Sequence, residues 1–105
     1  MSMCEAMACG RPMIAYAVGG NPETVHDAWC VVPFGDLDAL TDRARRLVDD
    51  AALRRAHGDA ALRHVRARFD APVLAQREAA IYCQALGVRA AVVWPEGACG
   101  ATMTA

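Results

Sequence analysis

The sequence contains no lysine. All eleven basic residues are arginine, and twelve acidic ones offset them to a formal net charge of -1. A chain with no net positive field has nothing to condense on phosphate backbones or anionic lipid, which argues against a nucleic-acid or membrane-surface binder. Beside so many alanines, the arginine bias reflects a GC-rich coding sequence more than a physical role. Also missing is any run near the ~20 apolar residues of a membrane span. Met1-Ser2-Met3-Cys4-Glu5 lacks the basic start and apolar stretch of a secretory signal, so the expected compartment is the cytoplasm. The five cysteines (4, 9, 30, 83 and 99) form no C-x-x-C pair, and no histidine stands at zinc-motif spacing from them. They are expected to be reduced thiols, most acting as small apolar residues, and no metal site is expected. There is no internal repeat and no low-complexity linker.

What is present is a globular composition, 55% hydrophobic and 22% charged over 105 residues, enough for one small domain. Ser2 to Cys9 reads as the end of a helix, with Gly10 as its C-cap and Pro12 barring continuation. Met13 to Val18 is apolar throughout, as in a strand buried on both faces. Gly19-Gly20-Asn21-Pro22-Glu23 then reads as a turn opening a short helix. In it Asn21 is the expected N-cap, Pro22 the first helical residue, and Glu23 faces the positive helix end. Trp29 to Val32 is the second expected strand, and Asp36 the N-cap of the next helix. There Leu37, Leu40, Ala44, Leu47 and Val48 share one face. A further helix is expected from Ala51 to Phe69, with Leu62, Val65 and Phe69 on its later stripe and Gly58 weakening it by about 1 kcal/mol. A last helix follows Asp70-Ala71-Pro72 and runs to about Leu86. Beyond Gly87 the pattern dissolves. Ala90 to Trp94 allows a strand, and Pro95 to Ala105 reads as a frayed end.

Strands buried on both faces belong to parallel sheets covered by helices, and two short ones do not make such a sheet alone. The layout is that of the second half of an α/β domain.

Three ordered blocks sharpen this. They are Glu5-Ala6-Met7-Ala8-Cys9-Gly10-Arg11-Pro12-Met13-Ile14-Ala15, then Val18-Gly19-Gly20-Asn21-Pro22-Glu23-Thr24-Val25, then Val31-Val32-Pro33-Phe34-Gly35-Asp36 with Leu40. Together they closely resemble the C-terminal portion of glycosyltransferase family 4, the retaining GT-B enzymes that use nucleotide sugars (glycosyl transferases group 1). Leu53-Arg54-Arg55 and Arg66-Ala67-Arg68-Phe69 fit the family's terminal helices, so the resemblance covers about residues 3 to 86. It implies an α/β fold, namely the C-terminal half of a Rossmann-like GT-B domain with two short parallel strands followed by about three helices. Residues 1–86 would form a partial nucleotide-sugar-binding domain and 87–105 an irregular tail.

The resemblance also implies a reaction and a site. The parent reaction moves a sugar from a nucleotide-diphosphate sugar to an acceptor hydroxyl with retention, without a bound metal and with no cofactor beyond the donor substrate. Glu5 matches the second of two family glutamates and would clamp the ribose hydroxyls, since one carboxylate accepts two hydroxyl hydrogen bonds. Met1 and Ser2 would lie at the edge of the diphosphate site, where backbone N–H groups at a helix start suit an anion. Gly19, Gly20 and Glu23 would line the donor-site loop. The first family glutamate would stand eight residues before Glu5, ahead of Met1. The family's phosphate-facing cations and its acceptor domain also have no counterpart here. A separate acceptor-domain chain is therefore one expected partner. The other reading is a non-catalytic remnant, either a pseudogene product or a fragment that binds a partner through its unpaired sheet edge, inactive on its own. Between Asp27 and Pro33 the chain is about two residues shorter than the family pattern and lacks its glycines.

The remaining conspicuous residues read as structural. His26-Asp27 has no nucleophile at sensible spacing. His57 and His64, seven apart on one helix, are expected to face solvent. The arginines at 43, 45, 46, 54, 55, 63, 66 and 68, interleaved with Asp and Ala, are expected to be solvated.

Overall fold

The computed structural model describes residues 2–89. Its first helix, α1 (Ser2–Ala8), stops as the sequence requires. Gly10 takes a left-handed φ of 69°. Its N–H donates to the Met7 carbonyl at 2.9 Å and that of Arg11 to the Ala6 carbonyl at 3.1 Å. This pair of bonds is the Schellman arrangement, which glycine enters without a Cβ penalty.

The chain then enters β1 (Ala15–Tyr16), which pairs in parallel with β2 (Val31–Val32), Ala15 opposite Val31 and Tyr16 opposite Val32. Both strands are shorter than the apolar runs that announce them. At the first, the chain turns at Gly19, whose φ is 53°, and the Asn21 N–H donates back to the Val18 carbonyl. At the second, Ala28–Cys30 forms a 3-10 turn instead of strand. The cause is Asp27, whose carboxylate accepts the Trp29 N–H at 2.7 Å and caps that turn. The short helix α2 (Asn21–Thr24) has Gly20 as its N-cap, not Asn21. The Asn21 side chain instead donates to the Tyr16 carbonyl at 3.1 Å, lashing α2 to the end of β1.

Three long helices follow: α3 (Leu37–Asp49), α4 (Ala51–Arg68) and α5 (Ala71–Leu86). Asp36 caps α3 as expected, accepting the Ala39 N–H at 2.9 Å. The buried stripe of α3 is turned from the expected one. Leu47 is buried and Leu40 half-buried, but Leu37 and Val48 are 64% and 72% exposed. The stripe turns toward Arg43, whose guanidinium lies 5.0 Å over the Trp29 ring and whose Nε donates to the Trp29 carbonyl at 3.2 Å. That arginine is half-buried rather than solvated, because its stem and planar head cover an aromatic face.

In α4 the buried residues are Gly58, Ala61 and Val65. A Cβ at Gly58 would fall on the carbonyl oxygen of Gly10, far inside van der Waals contact. The glycine that weakens the helix locally is what lets α4 approach the end of α1.

The chain divides into two compact units, Met1–Ala67 and Arg68–Ala105. The first holds the core of Met7, Ala15, Val25, Cys30, Val32, Leu47, Ala61 and Val65. In the second, α5 ends in another Schellman pair, with Gly87 at φ 66° and bonds to the Gln84 and Cys83 carbonyls, and it buries no residue. The mostly helical architecture with one short parallel sheet matches the α/β expectation in its coarse form. The possible strand at Ala90 to Trp94 and the tail beyond it lie outside the described residues. Among the described residues no helix is long and apolar enough to cross a membrane.

Candidate functional site

The residues expected to hold a donor fall in two places. Ser2 and Glu5 are exposed on α1, while Met1 lies outside the described residues. Gly19, Gly20 and Glu23 are exposed in the turn between β1 and α2. One atom organises that turn. The Gly20 carbonyl accepts the Glu23 N–H at 3.2 Å, the Thr24 N–H at 3.0 Å and the Thr24 hydroxyl at 2.9 Å. Beneath the turn Ala15, Val25 and Cys30 form a buried cluster, and Met3 of α1 packs against it. The structure thus joins Gly20 and Glu23 by a direct bond, with Gly19 in the same turn. Ser2 and Glu5 sit on a helix anchored to the same apolar cluster. A cleft of about 240 Å³ between Gly10, Arg11, Pro12, Arg54, Arg55 and Asp59 includes none of them.

The structure also assembles a polar group that residue spacing does not reveal. His26 Nε2 and His57 Nδ1 are 3.1 Å apart. The Cys30 Sγ lies 3.7 Å from the first and 3.6 Å from the second. Cys30 is completely buried, and both imidazoles are half-buried. The His57 ring stacks on Trp29 at 4.8 Å between centroids and 18° between planes, and the Arg43 guanidinium lies 5.0 Å from the centroid of the same indole. Nor is His64 a solvent-facing residue, since its Nε2 lies 3.0 Å from the Thr24 carbonyl, to which it donates. The expectation that His57 and His64 face water fails because Gly58 draws this face of α4 inward.

Burial, and then the neighbouring His57, hold the His26 imidazole below its usual range, against the opposing pull of Asp27. Burial, with the Asp27 carboxylate nearby, pushes the Cys30 thiol up to about 11, against a weaker opposite pull from Arg43. His26 and Cys30 are therefore neutral at pH 7. Cys30 in this state is a buried thiol, as expected of most cysteines here. The one sequence signal for the cluster is Gly58 inside a helix, next to His57: a residue costly to a helix marks a close approach.

Known proteins agree with the three sequence blocks. Residues 1–50 match the family model described as glycosyl transferases group 1. The chain is 42% identical over 74 residues to a GDP-mannose-dependent monoacylated alpha-(1-6)-phosphatidylinositol monomannoside mannosyltransferase of Corynebacterium glutamicum, covering 70% of this chain and 19% of that protein. It is 34% identical over 86 residues to an N-acetyl-alpha-D-glucosaminyl L-malate synthase of Bacillus anthracis, covering 80% of this chain and 23% of the relative. With a 2-deoxystreptamine N-acetyl-D-glucosaminyltransferase of Streptomyces fradiae it shares 42% over 72 residues, 67% of this chain and 17% of the other. The chain thus spans about a fifth of the length of these relatives. No solved structure gives a significant match.

Proposed function

Because the chain belongs, through its first fifty residues, to the glycosyl transferases group 1 family, we propose that it forms part of the nucleotide-sugar site of a glycosyltransferase. The reaction is transfer of a sugar from a nucleotide-diphosphate sugar to an acceptor hydroxyl, with retention at the anomeric carbon. Residues 1–86 contribute part of a GT-B donor domain. The acceptor-binding groups and the remaining donor contacts come from sequence beyond these 105 residues or from a separate chain.

One observation carries the reading: an exposed carboxylate, Glu5, on a helix anchored to the cluster beneath the exposed 19–23 turn. An exposed carboxylate accepts both hydroxyls of a vicinal diol such as ribose. Ser2, in the first turn of α1, offers its backbone N–H toward a diphosphate, and Gly19 and Gly20 keep the turn free of side chains that would crowd a ligand.

The test is a titration of a nucleoside diphosphate by ligand-detected NMR into the wild type, Glu5→Gln and Glu5→Ala. Charge-assisted hydrogen bonds are worth about 1.5–3 kcal/mol. Binding is therefore expected to weaken about tenfold or more in Glu5→Ala, and less in Glu5→Gln, which keeps one acceptor. Equal signals in all three at equal helicity would remove Glu5 from the site.

A further inference from the structure

We infer that His26, Cys30 and His57 form a metal site for a zinc-type divalent transition ion, which staples the α2–β2 connection to α4. The three candidate ligand atoms all lie within 4.8 Å of one another. His26 and Cys30 stand four residues apart and His57 lies 27 residues beyond Cys30, all within one compact unit.

The triangle they make has the size a tetrahedral ion requires. Zinc binds thiolate at about 2.3 Å and imidazole nitrogen at about 2.0–2.1 Å. At tetrahedral angles those lengths separate two nitrogens by about 3.3 Å and sulfur from nitrogen by about 3.6 Å. The observed edges are 3.1 Å between nitrogens and 3.7 and 3.6 Å to sulfur. Ligands that must move by only a few tenths of an ångström are close to pre-organised. The fourth position falls to water, which the half-buried imidazoles leave room to reach.

The donor chemistry agrees. Two imidazoles and one thiolate suit zinc and its neighbours rather than calcium or magnesium, which take oxygen ligands. Metal needs neutral imidazole and thiolate donors, and His26, His57 and Cys30 supply those donor types within one cluster. Without metal, the short contact between His26 and His57 requires one ring to donate to the other. His26 Nδ1 is buried with no hydrogen-bond partner among the described residues, with or without the metal. In the metal-bound form His26 Nε2 and His57 Nδ1 both present lone pairs to the ion. The ring proton of each moves to, or stays on, its other nitrogen. The Cys30 proton leaves as the thiol becomes a thiolate ligand. Stacking on Trp29, itself held by Arg43, fixes the plane of the second imidazole, as outer groups do around metal ligands.

The probes are Co(II) and Zn(II) added to the reduced, metal-free chain. Cobalt should give a thiolate-to-metal charge-transfer band and intense tetrahedral visible bands at one equivalent, and zinc should abolish them. Cys9→Ser, which removes an exposed competing thiol, should leave the spectrum unchanged. Cys30→Ser should lose the charge-transfer band. His57→Phe keeps a ring to stack on Trp29 but offers no ligand. It should weaken zinc binding by more than the about ten- to hundredfold that changes outside the ligand shell cost. Calorimetry in two buffers should show net proton release on zinc binding in Cys9→Ser. No cobalt band in the wild type overturns the assignment, and so does the same band in Cys30→Ser or His57→Phe. If Cys30→Ser does not fold, as judged by circular dichroism, the His57→Phe comparison decides.

Discussion

Helices α4 and α5 are similar in length, 18 and 16 residues, and opposite in behaviour. The sequence of α4 is the more polar, with Arg54, Arg55, Asp59, Arg63, Arg66 and Arg68, yet it buries Gly58, Ala61 and Val65 and half-buries both of its histidines. That of α5 carries the larger apolar side chains and buries none, leaving Ile81, Tyr82 and Leu86 at 64%, 65% and 75% exposure. Apolar content alone therefore ranks the two helices the wrong way round. Small residues let a helix backbone come close to its neighbour. At that distance even imidazoles leave solvent, provided each finds a partner.

The sharpest way to break this contrast is Gly58→Ala. In isolation the change should favour the helix by about 1 kcal/mol. In the fold the new methyl meets the Gly10 carbonyl, a backbone atom that cannot rotate away. Overpacking of this kind costs about 1–3 kcal/mol, and more where nothing gives. A net loss of about 2 kcal/mol is expected, a fall in melting temperature of about 10 °C for a domain of this size. Thermal melts followed by circular dichroism check it. A variant that melts at or above the wild type would mean that α4 does not owe its burial to the glycine.

A smaller effect comes from pH, and it acts on the α4 side of the contrast. The His26 imidazole titrates below its unfolded value of 6.5. Its contribution is whole above that pH and is lost as pH falls through 6.5 toward the folded value, because the unfolded chain then binds the extra proton. The Cys30 thiol runs the other way. It titrates at about 11 in the fold against 9.0 unfolded, so stability falls as pH rises from 9.0, by about 1 kcal/mol at pH 10. Urea midpoints of the metal-free chain should form a plateau between these limits and decline on both sides. Cys30→Ala should remove the alkaline decline and keep the acid one. An alkaline decline unchanged in Cys30→Ala would detach it from this thiol.

What could be read from residues alone divides along the same physical line. Local chemistry was legible. Gly10 ends α1, Asp36 caps α3, Pro72 opens α5 and Gly87 closes it, and each acts within a turn of its own position. Helix spans were legible because their period repeats. Strand lengths were not, since Asp27 diverts Trp29 and Cys30 into a 3-10 turn that apolar patterning cannot foresee. Of the proposed donor-site residues, Glu5 and the 19–23 turn rest on motif order alone, as contiguous strings. The His26, Cys30 and His57 cluster joins positions up to 31 residues apart, so no spacing rule over a single sequence reports it. Arg43 was misjudged for the same reason: its partner, Trp29, lies 14 residues away.

The smallest expected effect lies on α5. Ile81 is 64% exposed, so most of the apolar area that burial would have removed from water remains in water, and glutamine there forfeits little. Glutamine also has a slightly better helix propensity than the β-branched isoleucine. Ile81→Gln should therefore change stability by no more than about 0.5 kcal/mol, as exposed positions generally do, and Leu86→Gln should behave alike. Placed beside Gly58→Ala, these two substitutions weigh one added methyl in α4 against two whole apolar side chains in α5. The comparison fails if either glutamine variant loses more than about 1.5 kcal/mol. It fails more informatively if the wild type also melts at a temperature that rises with protein concentration. Mass action gives that dependence only when association covers surface in the folded state. The apolar face of α5 would then be buried in solution after all, and its exposure would belong to the single chain alone.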